Sequence, residues 1–481
     1  MERRSFISSL TLTCCSLIFS SQAKAIVASG IGAPPPQPHH MIEFEALGGV
    51  GDGDPNTGRG TDNARAFARA ETMAQQGYGI KFKPRASYKT TEQINIHSMY
   101  WVGDETSSPI IFGWFSEKGK KIIGRSNKKD PLSVCIMGIN FHRCGPFAEH
   151  GIVIDNIERL YFDGAVTSEP GAQGGAIGIS PFFPERRHSR NCFIKARINN
   201  SGDFGVQLGS VSGAIIDVTA TDCYREVIGI EPVVSGTMEI NKANIVGNDI
   251  SVIDPDLPNG TPILYCYGSN SRGPLTPGKH YFVIKNDNHT ISLADSRESS
   301  AKGHKLDLKL LEGEHYFAKS AVVEDIAIRF AKIIDNHAKK PTLYANTMGY
   351  IVITGNSGGY MNNIKLDNVY IEGNQIYKSG KSVGIYVQGA EDLILSNINV
   401  HGCDDAVVVS DGWLNGMFDE RGRPIRIENG YSKLSSKNIL VTDPNLTDFR
   451  SHGVLFRGNG GTLRGGKFSS RVKDAKLVVR E

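Results

Sequence analysis

Two windows of this chain superpose on each other, and that internal repeat narrows the fold more than any other feature. Gly205-Val206-Gln207-Leu208 leads through Ala214-Ile215-Ile216-Asp217-Val218 and Asp222-Cys223 to Val227-Ile228-Gly229-Ile230. Gly384-Ile385-Tyr386-Val387 leads through Leu393-Ile394-Leu395-Ser396-Asn397 and Gly402-Cys403 to Val407-Val408-Val409. Val206 to Ile228 and Ile385 to Val407 are both steps of 22 residues. A period of this size, with two or three short strands per repeat, means a solenoid. One coil cannot bury its apolar side chains alone, whereas stacked coils bury a continuous column.

The interruptions of the repeat are as informative as the repeat. Val407 to Val454 is 47 residues, a coil plus an extra loop running from Trp413 to about Ser436. Such loops gather on one face of a solenoid and often build its binding groove. A larger break, residues 236–318, has its own hairpin pattern: Pro274-Leu275-Thr276-Pro277-Gly278 feeds Tyr281-Phe282-Val283-Ile284, then Thr290-Ile291-Ser292-Leu293. It reads as a small inserted β module, with a long lobe of the groove as the other reading. Coils are expected over 41–235 and 319–470, with a tail at 471–481. Near the start, Thr61 or Asp62 caps a helix whose apolar face carries Ala66, Phe67, Ala70 and Met73 and which ends at Gly77. An amphipathic helix has a job here, because a stacked β structure exposes an apolar end that must be covered.

Composition agrees with a long, turn-rich β structure: Gly contributes 54 of 481 residues and aromatics 8%. A net charge of +3 supplies no basic stripe of the kind that neutralises a phosphate backbone, so nucleic acid is not implied. Residues 1–25 read as an export signal: Arg3-Arg4-Ser5-Phe6-Ile7, an apolar stretch from Leu10 to Phe19, then Ala23-Lys24-Ala25. The Arg-Arg-x-Phe-Ile run resembles a twin-arginine address, and an ordinary secretory signal carrying two arginines has the same outline. The Pro-rich stretch 26–40 follows as a linker. No later stretch has the length of apolar sequence that a membrane span needs, so the expected location is the periplasm or the extracellular space. Beyond Cys14 and Cys15 of the signal, Cys135, Cys144, Cys192, Cys223, Cys266 and Cys403 match no zinc or haem spacing. Cys223 and Cys403, each before an apolar run, read as buried free thiols.

The block from Gly48 to Tyr88 resembles the opening of pectate-lyase-superfamily proteins. Its pieces are the turn Gly51-Asp52-Gly53, the step Thr61-Asp62 into a helix, and the strand Gly79 to Pro84; residues 54–60 are extra. The resemblance implies an all-β chain, a right-handed single-stranded parallel β-helix with an N-terminal capping helix. It is unspecific for chemistry, since that scaffold carries lyases, polygalacturonases, rhamnogalacturonases, epimerases and phage tailspikes. The segment Leu275 to Leu308 is similar to small β modules of tail and adhesin proteins.

Solenoid register turns sequence position into spatial columns. The residues just before the short strands form one: Asp203, then Arg225 and Glu226, then Lys381 and Ser382, Asp404 and Asp405, and Ser451 and His452. A carboxylate pair is what glycoside cleavage requires, one group to protonate the leaving oxygen and another to activate water. Gly402-Cys403-Asp404-Asp405-Ala406 resembles the Asp-Asp motif of the polygalacturonase family, and Ser451-His452-Gly453 its Gly-His-Gly. The resemblance implies acid and water-activating roles for Asp404 and Asp405, with His452 orienting them. The family's Asn-x-Asp falls at Lys381-Ser382-Val383 and its Arg-x-Lys is absent. A lyase reading uses the same strip: Lys381, Arg225 or Arg457 supplies a base or a positive charge, and the two aspartates hold calcium against a uronate. Asp at a coil turn also has a purely structural use, because it tolerates the left-handed region and bonds its own backbone. Asp203, Arg225, Glu226, Tyr386, Trp413 and Arg457 are the expected substrate-binding residues, the aromatics by stacking on sugar rings. The expected activity is cleavage of an acidic, uronate- or rhamnose-containing polysaccharide, hydrolysis before elimination. The alternative is a non-catalytic, tailspike-like glycan-binding protein, trimeric in that case.

Overall fold

In the computed structural model the described residues are 31–480, leaving out 125–129, 146, 148–149, 171–173, 181–187, 233, 242–243, 253–256, 337–348, 356–357, 374–381, 414–432, 459 and 471; at 234–241, 267–272, 314, 412–413 and 433–434 the backbone alone is described. The chain is a parallel β-helix. Long strands, among them Ser189–Asn199, Val211–Thr221, Val322–Ile334, Tyr360–Glu372 and Glu391–His401, stack in parallel as one sheet. Short strands stack opposite them as a second: Ile177–Ile179, Val206–Leu208, Ile228–Ile230, Ile351–Thr354, Val383–Gln388, Asp405–Ser410 and His452–Arg457. Val206 faces Ile228, and Ile385 faces Val407, so the 22-residue step is one rung of the ladder.

Alternation along the strands sends one set of side chains inward. Val206, Leu208, Ile228, Ile230, Ile351, Ile353, Ile385, Val387, Val407, Val409 and Val454 join a single buried column with Ile194, Ile216, Ile328, Leu366 and Leu395. Bends are made by residues that tolerate positive φ. Asn191, Gly213, Asp325, Asn363, Asp392 and Asn438 occupy equivalent positions in consecutive coils, and all lie between +51° and +72°. Only Gly and, at modest cost, Asn or Asp enter this region readily. Side chains reinforce the ladder, with Asn438 Nδ2 donating to Asp392 Oδ1 at 2.8 Å.

The capping helix spans Ala64–Gln75 and buries Ala66, Phe67 and Ala70 over the first coils. Its N-cap is Asn63, one residue beyond the expected pair, and the side chain of Asn63 is spent elsewhere, accepting from Val50 N and donating to Lys89 O. Asp62 Oδ1 instead takes the Ala64 N–H at 3.2 Å. Ile31, from the Pro-rich stretch, packs against Phe193 and Ile215 on the outside of the long-strand sheet.

Between Ile230 and Ile351 the chain builds a seven-stranded antiparallel sheet from Val234 to Ser320, with its own apolar core around Ile250, Ile263, Val283, Leu293 and Phe317. Its first strand pairs with its last, Val234 opposite Ser320, so entry and exit lie side by side. Ile228 then pairs directly with Ile351. His280 Nε2 and Ser320 Oγ both contact the Gly358 carbonyl, at 3.1 and 2.8 Å, which seats the module on the helix. The six described cysteines are free and buried.

Candidate functional site

The residues in front of the short strands form a spatial column, and along it stand two clusters. Glu226 belongs to the Ile228 rung and Asp405 to the Val407 rung, with the Ile351 and Ile385 rungs between them. Three rungs of parallel sheet are about 14 Å. Register sets these groups on one line, as the repeat implies, and stacking distance parts them. A small hollow lined by Tyr224, Arg225, Tyr350, Ser382 and Val383 lies between.

At the C-terminal cluster, Asp405 is 4% exposed and faces His452 on the next rung, with Nδ1 to Oδ1 at 2.7 Å. The carboxylate fixes the ring by its Nδ1 side, and Nε2 has no partner among the described residues. Asp404 is placed differently. Its Oδ2 accepts from Ser382 N at 2.8 Å and Ser382 Oγ at 3.2 Å, stitching two turns together, and Arg450 stands 4.0 Å from Oδ1. The adjacent aspartates thus have separate partners, Ser382 and His452. Among the described residues no group of three or more His, Cys, Asp or Glu is arranged to hold a metal.

The N-terminal cluster is the denser one. Arg225 pairs with Asp203 of the preceding coil and, through Nη2 at 3.1 Å, with Glu226 Oε1. Glu226 is 3% exposed, and burial pushes its carboxyl up to about 7; Arg225 pulls against this and the charge of Glu231 adds to it. Glu231 Oε2 accepts from Gln207 Nε2 at 3.0 Å. The outward column of the short-strand sheet here runs Gly178, Gln207, Gly229. A Cβ on Gly229 would stand 3.5 Å from Glu226 Cγ and 3.7 Å from Gln207 Cγ, so both side chains close over that glycine. Glu226 is buried and inclined to keep its proton, and Gln207, packed with it at Gly229, links it to a second carboxylate, Glu231, which accepts a hydrogen bond. A buried carboxyl raised toward neutrality in this way is a candidate for acid work.

Of the remaining expected residues, Tyr386 lies half-buried in the same outward column, its hydroxyl 3.5 Å from Ser410 Oγ. Arg457 is exposed at the end of its strand, beside Ser410 in register. Trp413 is in a two-residue strand paired with Lys433, and its side chain is outside the described residues, as is Lys381. Sequence reasoning missed Gln207 and Glu231. Both were legible as outward positions of the repeat, since Gln207 interrupts Val206 and Leu208, and Glu231 follows Ile230.

No family model matches the chain, and no curated protein does. Solved structures similar to it include the A-module of the Azotobacter vinelandii mannuronan C-5 epimerase AlgE4, at 11% identity over 91% of this chain and 97% of that one, TM-score 0.33. A ι-carrageenase complexed to ι-carrageenan fragments matches at 9% identity over 93% and 92%, TM-score 0.38. ORF18 of Geobacillus virus E2 matches at 10% identity over 92% of this chain and 61% of that one, TM-score 0.42. Among the described residues no helix is long and apolar enough to cross a membrane.

Proposed function

We propose that this chain hydrolyses glycosidic bonds of an acidic polysaccharide lying along the strip, with Glu226 as proton donor. The observation that carries the reading is the buried Glu226 carboxyl, raised to about 7, with a second carboxylate, Glu231, held nearby by Gln207. A group titrating near neutrality is suited to general acid work. Glu226 gives its proton to the glycosidic oxygen as the bond to the anomeric carbon breaks. Glu231, kept as a hydrogen-bond acceptor by Gln207, is the second carboxylate: it takes a proton from the water whose oxygen bonds to the anomeric carbon as the leaving sugar departs with the proton from Glu226. Arg450, half exposed, and the exposed Arg457 and Lys476 supply positive charge toward the C-terminal end of the strip, which suits an acidic chain.

A second reading, β-elimination, is favoured by one observation: Asp405 holds His452 with its Nε2 side unengaged among the described residues. An imidazole fixed in this way is a base for the proton next to a uronate carboxylate, with calcium from solution as the counter-charge. Incubation with a panel of acidic polysaccharides, with and without calcium, separates the readings. New reducing ends without unsaturated product, lost in Glu226→Gln, support hydrolysis. Calcium-dependent unsaturated product, lost in His452→Gln and kept in Glu226→Gln, replaces it with elimination. Binding without any product, together with a trimer in sedimentation, replaces both with a glycan-binding protein.

A further inference from the structure

Gln207 carries an unsettled account of hydrogen bonds. Its side chain is 8% exposed, Nε2 is committed to Glu231, and the Oε1 atom is buried with no partner among the described residues. A buried carbonyl left unsatisfied costs free energy, so such an atom calls for a donor. The groups around it narrow the choice. Gly178 and Gly229 on the flanking rungs have no side chain to offer. Arg225 is turned to Asp203 and to Glu226 Oε1. Glu231 is already an acceptor. Glu226 remains, packed with Gln207 over Gly229, and with Oε1 taken by Arg225 its other oxygen is the one to carry a proton.

We propose that Gln207 is the positioning residue of this acid pair: its Oε1 accepts the hydrogen of the Glu226 carboxyl while its Nε2 holds Glu231 as a carboxylate. The amide has both polarities on one carbon, so a single side chain stabilises the protonated form of one carboxyl and the ionised form of the other. The proposal rests on the reading of Glu226 as the acid for its catalytic meaning, and the hydrogen bond itself stands without it. The charged groups facing Glu226 are Arg225 beside it, Asp203 from the preceding coil and Glu231 beyond Gly229. Arg225 and Asp203 act in every Gln207 variant, whereas Glu231 loses its Nε2 donor, so the midpoint reports on the amide as a whole and the glutamine carbonyl band reports on Oε1.

The test is an infrared titration of the full chain, following the protonated carboxyl band that is absent in Glu226→Gln. In Gln207→Met, which keeps length and removes both polar atoms, the titration midpoint of Glu226 should fall by about one pH unit. A midpoint that stays or rises overturns the proposal. Should Gln207→Met fail to fold, the wild-type chain with isotope-labelled glutamine gives the same answer. One glutamine carbonyl band should move as Glu226 titrates, and its absence overturns the link. Where cleavage is measurable, loss of Gln207 should draw in both limbs of the pH–rate profile, an effect that a merely structural loss would not produce. A chain without any cleavage sinks the function proposed above and leaves the infrared result standing; cleavage that needs Glu226 with an unmoved midpoint does the reverse.

Discussion

Replacing Glu226 by Gln should make the protein more stable above neutral pH, although it removes the proposed acid. In an unfolded chain the carboxyl ionises near 4.5, whereas in the folded chain burial holds it to about 7. Between those values the unfolded state releases a proton that the folded state keeps, so folding stability falls as pH rises through the interval. The full difference corresponds to about 3 kcal/mol. It is absent below pH 4.5 and complete above about pH 7, where the folded chain must also carry the buried charge. Gln keeps the shape and never ionises. Urea denaturation, followed through the fully buried Trp101, should give similar midpoints for the two proteins at about pH 5 and a higher one for Glu226→Gln at about pH 8. A difference between the proteins that does not change with pH would refute the argument, because it would mean that Glu226 titrates alike in both states.

Arg225→Met should move the Glu226 midpoint upward, since Arg225 is the group that opposes its burial; infrared titration reads the shift. Asp405→Asn keeps the volume of the buried side chain and weakens its bond to His452, and a loss of about 1–3 kcal/mol in urea denaturation is expected. Thiol reagents should leave the native chain untouched and modify it on unfolding, because Cys135, Cys144, Cys192, Cys223 and Cys266 are buried with thiols pushed up to about 12 and Cys403 is raised further. Asn438→Ala should destabilise by about 1 kcal/mol at its left-handed bend, and Asn438→Gly by less.

The scaffold was readable because a solenoid repeats its reasons. A valine at 206 and an isoleucine at 228 do the same job one rung apart, and the pattern is sampled many times. The strip was readable for the same reason, and Asp405 with His452 lie on neighbouring rungs because Val407 and Val454 do. What sequence could not supply was distance across insertions. The long break after Ile230 hides how many rungs part Glu226 from Asp405, so the spacing along the expected column appears only in the structure. Nor does adjacency in sequence imply a shared role: Asp404 and Asp405 point to Ser382 and His452 respectively. Gln207 was passed over because an amide has no charge to attract notice, and its meaning appears only once its two ends are seen in different company.

The antiparallel module leaves the helix at Val234 and returns at Ser320, its neighbour in register, while Ile228 meets Ile351 behind it. To the coils on either side, the detour is a turn of almost no width. Such a graft can be lengthened, exchanged or lost without the stack having to be re-wound. Among the contacts that tie this one down are His280 and Ser320 at Gly358, Phe282 and Arg297 against Tyr360, and the ion pair of Arg297 with Glu324, which any replacement would have to match. Architecture of this kind lets a rigid rod change its appendages at the pace of its surroundings while its spine stays as it was.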